Sequence, residues 1–265
     1  MKKAEANLIL LNRVKLFGGQ IGTSAASKEN AAKKKKGGNS MKYQIEGGNL
    51  PAAVIQLDAG ETIISQLGGR SWAKGPIVTE TKAPGGVGKS LGRMFSGENL
   101  FMSFYTAQGP AEIGFASSFA GSIIVRELGA GESIVCQKSA FLCATSGVEL
   151  AVHFQKKLGA GFLGGEGFIM QRITGPGLVF LELDGYVKEY DLMPGEELVC
   201  DTGLVALMDA SCQMDIRVVK GLKNKLLGGE GIVDTVIIGP GKAYIQTMSL
   251  PRLGGMLSPF ITGKK

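Results

Sequence analysis

The feature of this sequence that most constrains its fold is a turn that occurs three times. It reads LDAGE from Leu57, LGAGE from Leu128 and LMPGE from Leu192, each time between apolar, strand-like runs. The second and third turns start 64 residues apart, and the same spacing separates Cys136 from Cys200. The motifs LGGEG and GPG recur at this spacing too. Four features in one register indicate a chain built from repeats.

The first repeat is longer, since 71 residues separate Leu57 from Leu128. Its SGEN motif stands where the later repeats have GGEG, and Gly109-Pro110 stands where they have GPG. We therefore predict three repeats, near residues 45–120, 121–184 and 185–250.

Local patterns indicate that each repeat consists of short antiparallel strands. In VELAVHFQ, from Val148 to Gln155, apolar residues alternate with mostly polar ones, which is the period of a strand with one buried face. Asp184-Gly185 has the composition of a two-residue hairpin turn. The GPG motifs fit type II turns, because Pro suits the second position and Gly tolerates positive φ at the third. The 41 glycines of the 265 residues agree with many tight turns.

A unit of about 64 residues with one apolar face is marginal alone. We therefore expect the three repeats to pack around a common pseudo-threefold centre and to form one compact all-β domain over residues 41–253. The predicted flanks are a tail at residues 1–40 and a short C-terminal tail at residues 254–265. The body thus reads as three pseudo-threefold β repeats that share one core.

The basic net charge belongs to the N-terminal tail. Residues 1–40 carry nine Lys or Arg and two Glu, a net charge of +7, whereas the rest of the chain carries −1. The tail composition indicates a disordered or weakly helical segment, and it gives no reason to expect nucleic-acid binding by the body. Its ANLILLNRVKLFGG stretch could form a membrane-surface or targeting helix, or have no role.

The lengths of the apolar runs and the positions of the cysteines indicate the cellular compartment of the protein. No run approaches the roughly 18–20 apolar residues of a membrane-spanning helix, so we predict no transmembrane segment. The four cysteines form no Cys-x-x-Cys pair and lie in apolar runs, which favours buried, reduced thiols rather than disulfides or zinc ligands. These patterns predict a soluble, cytoplasmic protein.

The stretch APGGVGKS, from Ala83 to Ser90, matches a loose phosphate-binding loop. Such a loop joins a strand to a long helix, but Gly92 and Gly97 interrupt any helix that follows. Aligned by repeat, the same region of the other copies lacks Gly-Lys-Ser. We interpret the stretch as a connection between strands, and we predict no nucleotide cofactor.

Catalytic constellations are absent from the sequence pattern. His153 is the sole histidine, so neither a cupin-type metal centre nor a Ser-His-Asp triad has its parts. Repeated acids are the remaining candidates for a cation site, but a Glu after a turn Gly more often accepts hydrogen bonds from loop amides. They are Glu61, Glu132 and Glu196 in the turns, and Glu98, Glu166 and Glu230 in the loops. We predict no enzyme activity, no cofactor and no metal.

Basic residues recur in corresponding loops of the three repeats. They are Lys89, Arg93, Lys156, Lys157, Lys223 and Lys225. A pseudo-threefold arrangement could gather them into a cationic face for anionic lipid, phosphate or RNA, with affinity that falls as salt rises. Solvated loop charges are the alternative, and RNA recognition would also need exposed aromatic residues near them.

Several segments resemble one known family in order and spacing. They are MKYQIEGGNLPAAVIQLDAGETI, GKSLGRMFSGENLF, LGGEGFIMQRITGPGLVFLELDG and LLGGEGIVDTVIIGPGKAYIQTM. From Met41 to about Leu253 the chain resembles the mitochondrial-biogenesis family named for altered inheritance of mitochondria, and is most similar to its bacterial type. The resemblance implies a β-helix-like fold, of the double-stranded kind, classed with the trp RNA-binding attenuation protein (TRAP-like). It also implies a mitochondrial location if the source is eukaryotic.

Two functional hypotheses follow from the sequence. The first is a non-enzymatic scaffold that associates with itself, or with protein or membrane-associated partners, through strand edges and loop faces. The second is an anionic ligand or RNA binder that uses the basic loops. The first needs no catalytic constellation, and the second predicts salt-sensitive binding.

Overall fold

The computed structural model describes residues 41–82, 101–156, 168–218 and 233–249, and single residues between 253 and 260. Up to residue 249 they form strands, short turns and two single-turn 3-10 helices, at Lys138–Ala140 and Thr202–Leu204. The described residues between 253 and 260 are helical. The strands are β1 Lys42–Glu46, β2 Ala52–Leu57, β3 Thr62–Gln66, β4 Trp72–Lys74, β5 Ile77–Lys82, β6 Met102–Ala107, β7 Ala111–Ala116, β8 Gly121–Leu128, β9 Ser133–Gln137, β10 Phe141–Thr145, β11 Glu149–Lys156, β12 Phe168–Thr174, β13 Gly177–Asp184, β14 Val187–Leu192, β15 Glu197–Asp201, β16 Val205–Asp209, β17 Gln213–Val218, β18 Val233–Ile238 and β19 Gly241–Gln246. The all-β prediction is confirmed.

After β1, the described strands fall into three groups of six with one pairing plan: β2 to β7, β8 to β13, and β14 to β19. In each group the first strand pairs with the sixth and the second with the fifth. The fourth strand also pairs with the fifth, and the third with the sixth. Every pair is antiparallel, so short connections suffice.

Neighbouring groups are joined by one further strand pair each. The second strand of one group pairs with the third strand of the next, as β3 with β10 and β9 with β16. In the part of the chain that the structure describes, the result is four sheets, in the orders β1-β2-β7-β4, β5-β6-β3-β10-β13-β8, β11-β12-β9-β16-β19-β14 and β15-β18-β17. Two of the sheets are therefore shared between groups.

Three apolar clusters fill the space between the sheets. One includes Ile55, Phe115 and Phe180, a second includes Leu181 and Leu207, and a third includes residues of the last group such as Met208. The predicted alternation from Val148 to Gln155 is confirmed, because the apolar side chains are buried or half-buried and the intervening ones are exposed. Period-two burial of this kind gives each strand one face for the core.

Two turn predictions are wrong. Asp184-Gly185 is not a hairpin, because β13 pairs with β8 and β10 whereas β14 pairs with β19. Gly185, with φ of 72°, instead turns the chain from one sheet to the next. The GPG turns are not type II, since their prolines follow cis peptides and the third residues have φ of 149° and 134° rather than roughly 80°.

The counterpart of Gly175 in the first group is Ala107, and not Gly109. Ala107 donates its N–H to the Glu61 carbonyl at 3.0 Å, as Gly175 does to the Glu132 carbonyl at 2.9 Å. Three residues, Gln108, Gly109 and Pro110, stand between Ala107 and β7, whereas Pro176 alone stands between Gly175 and β13. The first turn is therefore longer, which accounts for part of the greater length of the first repeat.

The Asp184→Asn variant should be more stable than the wild type at neutral pH. Burial, followed by the nearby Glu182 carboxylate, raises the pKa of Asp184 from 3.8 to about 6. A raised carboxyl pKa means that the folded state holds its proton more tightly, so stability falls as pH rises from about 4 to about 6. Because Asp184 is only half-buried, we expect a gain of about 1 kcal/mol at pH 7.

Urea unfolding at pH 3.5 and pH 7 measures the effect of Asp184→Asn. The two proteins should differ little at the lower pH. Asp58→Asn, at an exposed turn residue, is the matched control, and its stability at pH 7 should stay within about 0.5 kcal/mol of the wild type. Equal stability of wild type and Asp184→Asn at pH 7 would contradict the assignment.

Candidate interaction surface at two strand edges

The predicted basic residues lie almost entirely outside the described residues. This holds for Lys89, Arg93, Lys157, Lys223 and Lys225. Lys156 is the last residue of β11. In each repeat, the segment that contains these basic residues follows one strand of an antiparallel pair and precedes the other. The pairs are β5 and β6, β11 and β12, and β17 and β18. Their convergence into a cationic face stays a prediction.

The stretch that resembles a phosphate-binding loop, residues 83–90, also lies outside the described residues. The strands on either side of that segment are described. They are β5 and β6, which pair with each other antiparallel from Ile77↔Ala107 to Lys82↔Met102. A phosphate-binding loop instead joins a strand to a helix in a βαβ unit. The flanking topology therefore favours a connection between neighbouring strands.

The repeated turn has the same hydrogen bonds in all three copies. The carboxylate of Glu61 accepts from the Asp58 N–H at 2.7 Å, and those of Glu132 and Glu196 accept from the N–H three residues earlier at 2.9 Å each. Each turn Gly also donates its N–H across to the partner strand end. These acids therefore close turns. Glu98, Glu166 and Glu230 lie outside the described residues.

Replacing Glu132 by Ala should lower the free energy of unfolding by about 1 kcal/mol, since the Gly129 N–H loses a charged acceptor at an exposed turn. Urea unfolding at pH 7 measures this loss. Glu149→Ala, at an exposed strand residue, is the matched control with an expected change below about 0.5 kcal/mol. The same small change for both variants would show that the turn carboxylate contributes little.

His153 lies at a strand surface and the cysteines are free thiols. The His153 ring has Nδ1 3.4 Å from an Arg172 nitrogen, and partial burial, followed by the charge of Arg172, lowers the pKa of His153. All four cysteines are free, and burial raises the pKa of Cys136 to about 12. Burial also raises the pKa of Cys200 to about 12, with help from neighbouring aspartates. Thiols held in this way are poor nucleophiles.

Among the described residues, no group of three or more His, Cys, Asp and Glu side chains could hold a metal ion. Likewise, no helix in the described part of the chain is long and apolar enough to cross a membrane.

Two strand edges differ from their counterparts in the other groups. β10 and β16 each have a second partner on their outer side, but among the described strands their counterpart β4 pairs only with β7. Similarly, β3 and β9 each have a partner from the next group, but their counterpart β15 has β18 as its only partner in the described ranges. Within the described residues, β4 and β15 thus each present an unpaired row of N–H and C=O groups. We call these two rows the free edges.

Apolar side chains at the free edges are exposed where their counterparts are buried. At the internal junctions, Ile64 pairs with Ala144 and Val135 with Met208, and each is at most 4% exposed. At the free edges, all of β4 is exposed and Val199 of β15 is 54% exposed. Exposed apolar side chains beside unpaired main-chain groups are typical of a surface that accepts another strand.

The bulky residue at the β4 edge is Trp72, which lies over the backbone of Gly114. A Cβ on Gly114 would come within 2.1 Å of the indole ring. In the other groups the sizes are exchanged, with Cys143 opposite Phe180 and Leu207 opposite Tyr244. Trp72 remains 40% exposed, so part of the indole is available for contact.

Pairing plan and free edges together define, in the described part of the chain, an all-β protein of three six-stranded antiparallel units in which β4 and β15 lack the partner strand that their counterparts have. Comparison of sequences then places it: the profile of the family described as mitochondrial biogenesis AIM24 matches residues 43–248, and the chain belongs to that family. The resemblance inferred from the motifs is confirmed.

Two bacterial proteins illustrate the relationship. An uncharacterised protein of Streptococcus pyogenes serotype M6 is 26% identical over 232 residues, which cover 84% of this chain and 92% of that protein. A crystal structure of another Streptococcus pyogenes protein has a TM-score of 0.67 at 24% identity, and the match covers 84% of this chain and 100% of that one. The second match concerns the fold alone.

Sequence reasoning did not find the free edges. No local signal marks them, because Val199 stands where the other repeats also have an apolar residue, Ile64 or Val135. Only the strand pairing distinguishes the exposed position from the buried ones.

Proposed function

We propose that this chain acts as a non-enzymatic interaction protein that binds protein partners, including membrane-associated ones, through its free strand edges. The observation that carries the proposal is the exposure of apolar residues on β4 and β15, at positions that are buried at both internal junctions. The family description, mitochondrial biogenesis, names a process rather than a reaction, which is compatible with such a role.

The mode of binding would be addition of a strand. An extended segment that pairs with β15 would receive main-chain hydrogen bonds along Glu197–Asp201, and alternate side chains would pack beside Val199. The three described residues of β4 offer a shorter row. Contacts of this size produce transient complexes rather than permanent ones.

The proposal is tested by affinity capture with the full chain as wild type, Val199→Asp and Val78→Asp. Val78 is the matched control, because it lies on another edge strand, β5, and is 47% exposed. A partner that is retained by wild type and Val78→Asp and reduced about tenfold by Val199→Asp supports edge binding. Increased amide protection of β4 or β15 in the purified complex places the contact.

Partners that bind all three proteins equally, with unchanged amide exchange in β4 and β15, would contradict the proposal. Because Val199 is exposed, Val199→Asp should fold normally, and circular dichroism with urea unfolding verifies this. If Val199→Asp is less stable than the wild type by more than about 1 kcal/mol, the capture is repeated with Val199→Thr, which keeps the shape of the side chain.

A further inference from the structure

We propose that the occupant of these edges is a second copy of this chain, with β15 of one molecule paired antiparallel to β4 of the next. This inference rests on the proposed function and names the partner. The contact would repeat, between two molecules, the pairing that already joins consecutive groups within one molecule.

The internal junctions supply a register for this contact. Ala144 and Met208 pair with residues of their own sixth strands, Val179 and Ala243, as Ala73 pairs with Ile113 of β7. Ala73 is therefore the β4 counterpart of Ala144 and Met208. By the 64-residue spacing, Val199 is the β15 counterpart of Val135, which pairs with Met208. The implied pair is Ala73 opposite Val199.

The neighbouring pairs follow from the same register. Trp72 stands opposite Cys200, where the second junction has Leu207 opposite Cys136. Lys74 stands opposite Leu198, where that junction has Asp209 opposite Ile134. A polar residue at the Lys74 position is thus compatible with pairing, because Asp209 holds the same place in a formed junction.

Burial indicates that both edges are complementary to a strand of this kind. Val135 and Met208, the junction pair that corresponds to Val199 and Ala73, are 0% exposed. Val199 is 54% exposed and Ala73 is also exposed. Pairing the two edges would therefore remove apolar surface from water in the manner already seen at the junctions, which is favourable.

Charge favours pairing of unlike edges over pairing of like edges. The β4 segment, residues 67–76, carries Arg70 and Lys74 and no acidic residue. The β15 segment, residues 195–203, carries Glu196, Glu197 and Asp201 and no basic residue. Two β15 edges placed together would bring like charges opposite one another, whereas β4 against β15 joins opposite charges.

A contact between two different surfaces has a consequence for assembly. Each molecule that uses its β15 edge still has a free β4 edge, so the arrangement extends into a ring or an open chain of molecules. Three residue pairs form a small interface, and we therefore expect a weak association that depends on protein concentration.

Disulfide trapping between two single variants of the full chain tests the inference. Ala73→Cys and Val199→Cys are purified separately, mixed, and oxidised mildly, since directly opposed residues of paired strands lie within disulfide reach. We expect a linked pair of chains in the mixture at about ten times the level in either variant alone. A mixture of Ala73→Cys with Val78→Cys is the matched control and should form no such pair.

Each remaining outcome is informative. Linked pairs in Ala73→Cys alone that persist when Cys200→Ser is added would show β4 against β4 and overturn the inference, because Cys200 is the native free thiol on β15. The double variant Ala73→Cys/Val199→Cys covers pairing within one molecule. If it forms a disulfide inside single chains while the mixture gives no linked pair, β4 and β15 pair within one molecule, which overturns the inference as well. Absence of any link at high protein concentration also overturns it.

The sole tryptophan, Trp72, provides an independent readout. Its fluorescence should shift to shorter wavelength as wild-type concentration rises, because pairing covers the exposed part of the indole, and Val199→Asp should abolish the shift. No shift in the wild type contradicts the inference. If trapping and fluorescence both fail while Val199→Asp still loses a partner in the affinity capture, self-pairing is wrong and the proposed function is supported. If Val199→Asp also retains that partner, both proposals are wrong.

Discussion

Replacing Phe180 by Ala is expected to lower the free energy of unfolding by about 3–5 kcal/mol, the largest loss expected for one side chain here. Phe180 is fully buried in β13, in the cluster that also holds Phe115 and Leu142. Its ring meets that of Tyr43 edge to face, with centroids 5.1 Å apart. Truncation removes this contact and leaves a cavity between strands that cannot move independently.

Urea unfolding followed by circular dichroism measures the effect of Phe180→Ala. Phe260, which is 85% exposed, is the matched control, and Phe260→Ala should change stability by less than about 0.5 kcal/mol. A loss below about 1 kcal/mol for Phe180→Ala would mean that this part of the core is loosely packed. If the variant does not fold, Phe180→Leu should still show a smaller, measurable loss.

The second large effect is expected for Gly175→Ala, at about 2–3 kcal/mol. An added Cβ would lie 2.5 Å from the Gly129 carbonyl oxygen and 2.6 Å from the Cβ of Leu128. These are positions in the facing turn, so relief requires movement of the main chain. Movement there would also disturb the 2.9 Å hydrogen bond from the Gly175 N–H to the Glu132 carbonyl.

Gly109→Ala is the control for Gly175→Ala, and thermal unfolding compares the two. The nearest atom to a Cβ on Gly109 is 3.4 Å away, in the Pro76 ring, so a change within about 0.5 kcal/mol is expected. The sequence aligned Gly109 with Gly175, but only the structure separates their roles. Equal losses for both variants would contradict the assignment of Ala107 as the counterpart of Gly175.

Much of the fold could be predicted because residues that recur in the sequence have the same structural role in each repeat. The Gly and Glu of each turn recur since the Gly takes a positive φ and the Glu closes the turn. Period-two alternation in β11 was likewise readable. The prediction of an Asp184-Gly185 hairpin failed because a two-residue turn signature does not state which strands pair. Here the strands beside it belong to different sheets.

The candidate surface was less predictable for a physical reason. Exposure of Val199 and Trp72 depends on what does not pair with β15 and β4, and such an absence leaves no mark in a local pattern. The basic residues that repetition singled out, such as Lys89 and Lys223, lie outside the described residues, so the ligand-binding hypothesis that rests on them stays a prediction.

Strand β1 has a practical consequence for where the domain can be cut. It pairs with the outer side of β2 over Lys42↔Gln56 to Glu46↔Ala52, whereas β8 and β14 have no such cover among the described strands. A truncated chain that began at Gly47 would lose the Tyr43 ring above Phe180 and uncover the backbone of β2. The shortest fragment expected to keep the native packing therefore starts at Met41.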